Sequence, residues 1–138
     1  MPYPEEIVAP MRQELIRMGV RELRTPPEVD TFLESQEGTA MVFVNSVCGC
    51  AAGSARPGLA LSLTNDKRPA RVATVFAGQD VEATERARKY FNGHAPSSPA
   101  AALFRDGRLV HLLQRHDIEG RSPQEVGQAL IEAYEQHC

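Results

Sequence analysis

Met41-Val42-Phe43-Val44-Asn45-Ser46-Val47-Cys48-Gly49-Cys50-Ala51-Ala52-Gly53 sets two thiols one glycine apart, where a buried strand gives way to a helix. Its first half is short, apolar and rich in branched or aromatic side chains, the composition of a strand covered on both faces. Its second half opens an alanine-rich helical pattern. Such a junction favours sulfur chemistry, because the unpaired amides and positive dipole end of a helix N-terminus stabilise an anion and the thiolate is the form that attacks disulfides. Cys48, at the helix end, reads as the nucleophile with the lower pKa. Cys50, turned toward the interior, reads as the thiol that resolves its product.

Outward from this stretch, strands and helices alternate. Residues 39–45 are expected mid-sheet. The helix after Cys48 carries Ala51, Ala52, Ala55, Leu59, Ala60 and Leu63, with Pro57 inside it predicting a bend. Residues 65–69 lead to a second two-faced apolar strand, 72–77, and Asp80 is placed to cap a helix whose Ala83, Ala87, Tyr90 and Phe91 share a face before Gly93. Strand, crossover helix, strand makes a parallel pair with a right-handed connection. Toward the N-terminus, Ile7, Val8, Met11, Leu15 and Met18 mark one face of a helix ending at Gly19, with Pro10 restricting where it begins. Residues 20–23 suit a short edge strand. Thr25-Pro26-Pro27-Glu28 forms a capping box, followed by the apolar stripe Val29, Phe32 and Leu33 and a stop at Gly38.

The last third changes character. Residues 100–105 and 108–113 are strand-like and flank Asp106-Gly107, a dipeptide suited to a tight antiparallel hairpin. Ser122-Pro123-Gln124-Glu125 then caps a final helix that buries Val126, Leu130, Ala133 and Tyr134. The order βαβ followed by ββα predicts one thioredoxin-like α/β domain over residues 1–138: a central mixed sheet flanked by helices, with an additional N-terminal helix. Ala95-Pro96-Ser97-Ser98-Pro99 enters the first hairpin strand where this layout carries a cis-proline, a form costing only about 0.5–1 kcal/mol before proline. Ser98 and Pro99 are therefore candidate substrate-binding residues, with backbone groups of residues 97 and 98 expected free to hold an extended thiol substrate. Gly49 joins them by relaxing the backbone between the thiols.

Composition narrows the function classes. A chain of 138 residues that is 42% hydrophobic can bury an ordinary core without disulfides or a structural metal. A net charge of -3 gives no electrostatic reason to expect nucleic acid or an anionic membrane as partner. No apolar run approaches a membrane span, and Met1 to Glu6 does not read as an export signal, so a cytoplasmic location is expected. Three cysteines, an odd number, fit a catalytic pair better than a disulfide framework. Neither oligomeric state nor target proteins can be read from the chain.

Several separated segments resemble the bacilliredoxins, small thioredoxin-like proteins with a Cys-Gly-Cys site. They are residues 8–15 (Val-Ala-Pro-Met-Arg-Gln-Glu-Leu), 44–53 around the thiols, 74–80 (Thr-Val-Phe-Ala-Gly-Gln-Asp), 95–99, 115–120 (Arg-His-Asp-Ile-Glu-Gly) and the closing His137-Cys138. The resemblance implies reduction of mixed disulfides between proteins and the low-molecular-weight thiol bacillithiol, with a weak disulfide isomerase or reductase activity beside it. It implies S-thiolated proteins and bacillithiol as partners, with bacillithiol a co-substrate and no bound cofactor. It also assigns Cys48 as nucleophile and Cys50 as resolving thiol.

A disulfide closed across one intervening residue is a tight ring, and strain raises a reduction potential, so an internal Cys48–Cys50 bond is expected to be more oxidising than thioredoxin's. Two other classes stay open. The thiols with one or two of His94, His111, His116 and His137 can bind zinc or copper(I), although structural zinc sites use wider cysteine spacings and no second pair exists, so no metal is expected. A redox-inert interaction module on the same fold is the other. Cys138 reads as an exposed bystander or a third exchanging thiol, and Arg115 and His116 as a loop able to meet an anionic thiol.

Overall fold

The computed structural model describes residues 2–34 and 37–138. Its centre is β2 (Thr39–Asn45), buried along its whole length. It pairs in parallel with β3 (Arg71–Phe76), from Ala40 opposite Arg71 to Asn45 opposite Phe76. On its other side it pairs antiparallel with β4 (Ala100–Arg105), from Thr39 opposite Arg105 to Val44 opposite Ala100. The two-residue β1 (Arg21–Glu22) adds in parallel to β3, and β5 (Arg108–Leu113) adds antiparallel to β4, giving the order β1-β3-β2-β4-β5. The β4–β5 turn has positive φ at both Asp106 (52°) and Gly107 (81°), the geometry whose twist matches a two-residue hairpin.

Side-chain alternation along β2 divides the core in two. Met41 and Phe43 face a cluster with Leu59 of α3 (Arg56–Ser62) and Leu130 and Tyr134 of α6 (Pro123–His137). Ala40, Val42 and Val44 face a second cluster with Val29 and Phe32 of α2 (Pro26–Leu33) and Ala83 and Ala87 of α4 (Val81–Arg88). Helices on both faces are why β2 and most of β3 carry no solvent-facing stripe.

The expected architecture stands, with four corrections. In α1 (Glu5–Ile16) Pro10 lies inside the helix, Ile7 is 50% exposed, and Arg12 takes a buried place that apolar periodicity could not assign. Its guanidinium donates to both carboxylate oxygens of Asp80, at 2.7 and 3.1 Å, and to Glu5 and Glu22, and it lies over the Phe76 ring. Asp80 consequently makes no side-chain cap for α4: its oxygens face Arg12 instead. Pro57, expected inside the helix at a bend, sits in the first turn of α3 after a π-helical turn over Ala51–Ala55, and Ala52 is exposed rather than on the buried stripe. Finally, Arg115–Ile118 form a short helix, α5, where a loop was expected. Its capping box uses Gln114 and Asp117, and glutamine is not a residue that marks helix starts.

Candidate active site

The end of β2 is fixed by polar contacts before the chain reaches the thiols. Asn45, buried, accepts at Oδ1 from the Ser46 amide (2.9 Å) and from Arg56 Nη1 (3.0 Å). The same Nη1 donates to the Ser46 carbonyl (2.8 Å), while Arg56 Nε donates to Glu14 (3.1 Å). The π-turn explains how a guanidinium reaches this place. The Arg56 amide bonds to Ala51 O, five residues back, so the wider turn stacks Arg56 beneath the first residues of the helix. An arginine beside an alanine stripe carries no sequence signal of this, and sequence reasoning missed it.

Cys48 occupies the start of that helix. Its amide donates to Ser46 Oγ (3.3 Å), its carbonyl accepts from the amides of Ala51 (3.1 Å) and Ala52 (3.2 Å), and residues 49 and 50 are already helical. Cys48 and Cys50 are free thiols with their sulfurs 2.8 Å apart. Both are half-buried, so the expected contrast of an outer and an inner thiol is absent from their exposure. It is present in their electrostatics. Burial pushes the Cys48 thiol up, but donation from the Cys50 thiol, the Ser46 hydroxyl and the Ala51 amide, with the Arg115 charge, outweighs it and leaves Cys48 below an ordinary thiol. Burial and the neighbouring Cys48 sulfur push Cys50 above one, against the pull of Arg115. When two thiols share one proton the first to ionise is the better held, and here that is Cys48.

Gly49 is exposed, its backbone is helical, and a Cβ there would meet nothing within 4 Å. The dithiol form thus gives no conformational reason for glycine, against the expectation for its backbone. The Ser98–Pro99 peptide is cis. Because Ala100 pairs with Val44, Pro99 enters the sheet at the end of β2 that leads to Cys48. The carbonyls of residues 97 and 98, expected to be free, instead accept long contacts of 3.4 Å from Arg88 Nη2 and Arg115 Nη1.

Cys138 lies at the other end of the sheet, where Thr39, Arg105 and Lys67 act on its thiol, and burial pushes its pKa up. Thr39 and Asn45 bound a strand of seven residues, about 20 Å at the usual rise, too far for exchange with Cys48 within one molecule. Among the described residues no three His, Cys, Asp or Glu side chains gather as a metal-ligand set, and His111 and His137 approach each other rather than the thiols. No helix among them is long and apolar enough to cross a membrane.

Comparison with known proteins bears on this geometry. A family described as disulphide isomerase matches residues 3–138. The bacilliredoxin of Koribacter versatilis is 52% identical over 136 residues, covering 99% of this chain and 94% of its own. That of Salinibacter ruber is 53% identical over 140 residues, covering 100% and 82%. Among solved structures, oxidised thioredoxin from Plasmodium falciparum superposes with a TM-score of 0.56 at 20% identity, covering 83% of this chain and 97% of that one. Thioredoxin from Fasciola hepatica gives 0.57 at 16% identity, covering 86% and 100%. At such identities these two structures establish the thioredoxin fold alone.

Proposed function

This chain belongs to the bacilliredoxin family and is a thiol–disulfide oxidoreductase, and on that premise we propose that it strips bacillithiol from S-thiolated proteins, with Cys48 as nucleophile and Cys50 as resolving thiol. The observation that carries the reading is the contact of two free thiols at a helix start, pushed to opposite sides of an ordinary thiol pKa.

The exchange balances as follows. Cys48 thiolate attacks the small thiol's sulfur in the mixed disulfide, the sulfur–sulfur bond to the target breaks, and the target leaves as a thiolate that takes up a proton. Cys48 now carries the small thiol. Cys50, deprotonated as the adduct forms, attacks the Cys48 sulfur, expels the small thiolate and closes a Cys48–Cys50 disulfide. A dithiol or two thiols from outside return two electrons and two protons. Alternatively, a second small thiol attacks the adduct and leaves as its symmetric disulfide, regenerating Cys48 directly. The cis-Pro99 segment, with Ser98 and the exposed Gly49, forms the floor on which the target's chain rests. Work of this kind belongs in the cytoplasm, where thiols are kept reduced.

The test is to incubate reduced protein with the disulfides of bacillithiol, glutathione, cysteine and mercaptoethanol and to follow adducts by intact mass. A Cys48 adduct forming fastest with bacillithiol disulfide is expected. Equal rates throughout would remove the bacillithiol assignment, and absence of any adduct would remove the exchange reading.

A further inference from the structure

Arg115 opens α5, directly after β5, and its side chain is 43% exposed. Two contacts tie it to the cis-proline segment: its amide donates to Ser97 Oγ (3.3 Å), and Nη1 donates to the Ser98 carbonyl (3.4 Å). Pro99 in turn stands at the Cys48 end of β2, so the guanidinium is anchored at the same end of the sheet as the thiols. The electrostatics agree, since Arg115 favours the thiolate form of both Cys48 and Cys50, and they raise its own pKa in return.

Of the other arginines near this end of the sheet, Arg88 donates to the Ser97 carbonyl at 3.4 Å from a half-buried position, and two are committed elsewhere. Arg56 is buried and spent on Asn45, Ser46 and Glu14, and Arg12 is held by Asp80 and Glu5 at 2.7 and 2.8 Å. Arg115 differs. Its carboxylate partner, Glu119, is 3.4 Å away with 60% of its side chain exposed, a surface pair easily exchanged for another anion. A guanidinium has five N–H donors, and the contacts of Arg115 to neighbouring side chains and carbonyls are at the long limit, so donors remain for a ligand.

We infer that Arg115 is a specificity-determining residue that binds a carboxylate on the small-thiol half of the mixed disulfide, displacing Glu119. The inference rests on the exchange reading above and adds what that reading lacks, a reason for attack on one sulfur rather than the other. A mixed disulfide offers two sulfurs. Anchoring the small thiol's carboxylate sets its sulfur toward Cys48 and leaves the target's sulfur as the leaving group. The same contact persists in the Cys48 adduct, and is lost once Cys50 expels the small thiol. No bond is made or broken by Arg115, whose part is charge and position.

The test uses the full chain and one reporter peptide bearing a disulfide to either mercaptopropionate or mercaptopropionamide, groups alike in size and different in charge. For the unmodified protein kcat/KM is expected to favour the carboxylate about tenfold, as a charge-assisted hydrogen bond allows, mostly through KM, and to lose that preference with added salt. Arg115→Gln is expected to bring the ratio near one, Arg115→Lys to restore part of it, and Arg115→Glu to invert it. Loss of thiolate at Cys48 in these variants slows both substrates alike and leaves the ratio unmoved. A ratio near one in the unmodified protein, or a preference that survives in Arg115→Gln, overturns the inference while exchange itself stands. Failure of either disulfide to form a Cys48 adduct overturns the exchange reading and this inference with it.

Discussion

Arg56, 1% exposed, donates from Nη1 to the Ser46 carbonyl at 2.8 Å, so a buried cation holds the backbone two residues before Cys48. The same nitrogen serves Asn45 Oδ1, and Glu14, 41% exposed, neutralises the charge from the surface. Arg56→Met keeps much of the stem volume but leaves the buried Ser46 carbonyl without its donor, while Asn45 Oδ1 keeps the Ser46 amide. An unsatisfied buried group costs about 1–3 kcal/mol, and relief from burying a cation offsets part, so a net loss of about 1 kcal/mol is expected. Arg56→Lys should lose less, because an ammonium can still serve one acceptor. Urea denaturation of the reduced protein measures both, and an unchanged midpoint for Arg56→Met would contradict the clamp.

The order of the two thiols predicts different fates for their serine variants. Cys48→Ser is expected to abolish adduct formation with small-thiol disulfides. Cys50→Ser should accumulate the Cys48 adduct, since no internal thiol can expel it. Intact-mass spectra after a short incubation decide this, and the opposite pattern would reverse the roles.

A lowered Cys48 pKa means that its thiolate persists to lower pH than an ordinary thiol, with pKa about 8.5, allows. The rate of Cys48 alkylation by iodoacetamide should therefore reach half its maximum at a lower pH than that of a free cysteine thiol under the same conditions. Part of the lowering comes from the Cys50 S–H donating to the Cys48 sulfur at 2.8 Å. Cys50→Ala removes this donor, so the midpoint should move upward. A midpoint that stays in place would show that the Ser46 hydroxyl, the Ala51 amide and Arg115 suffice.

How much of this was legible in the sequence differs by kind of interaction. The two-faced strand β2, the Asp106-Gly107 turn and the Ser122–Glu125 capping box follow from local pattern, and each occurs where the residues indicate. The thiols and cis-Pro99 were also marked by order along the chain. What stayed hidden depends on contacts between distant residues. Asp80 is a good cap by its type, but the buried guanidinium of Arg12 claims both its oxygens. Arg56 falls beside the alanine stripe, and only the π-turn, which no residue type announces, brings it under Asn45 and Ser46. By sequence Arg115 reads as a loop cation, and its tie to Ser97 and Ser98 exists only in the folded chain.

The internal disulfide should be a mild oxidant. Closing Cys48 to Cys50 makes a ring with a single residue between the cysteines, and strain makes a disulfide easier to reduce. Equilibration with glutathione buffers is expected to give a potential above thioredoxin's value of about -270 mV. A lower value would mean that the ring closes without strain.

Close packing of α3 against α6 supports the helix bearing the thiols. At Gly58 of α3 an added Cβ would lie 2.7 Å from Val126 Cβ and Cγ1 and 3.1 Å from the Pro123 carbonyl, so α3 and α6 touch nearly backbone to backbone. Alanine improves helix propensity by about 1 kcal/mol, but overpacking a core costs about 1–3 kcal/mol. A Cβ added at Gly127, across the contact, would lie 3.2 Å from both Gly58 O and Leu61 Cβ, so the approach of the two helices is close from either side. Overpacking should win at Gly58, with Gly58→Ala losing about 1–2 kcal/mol. Gly53 supplies the control: it is exposed, and a Cβ there would meet nothing within 4 Å. Gly53→Ala should gain about 0.5 kcal/mol by restricting the unfolded chain. Denaturation midpoints moving in opposite directions for these two substitutions are the expected result, and a stabilised Gly58→Ala would refute the close approach of the two helices.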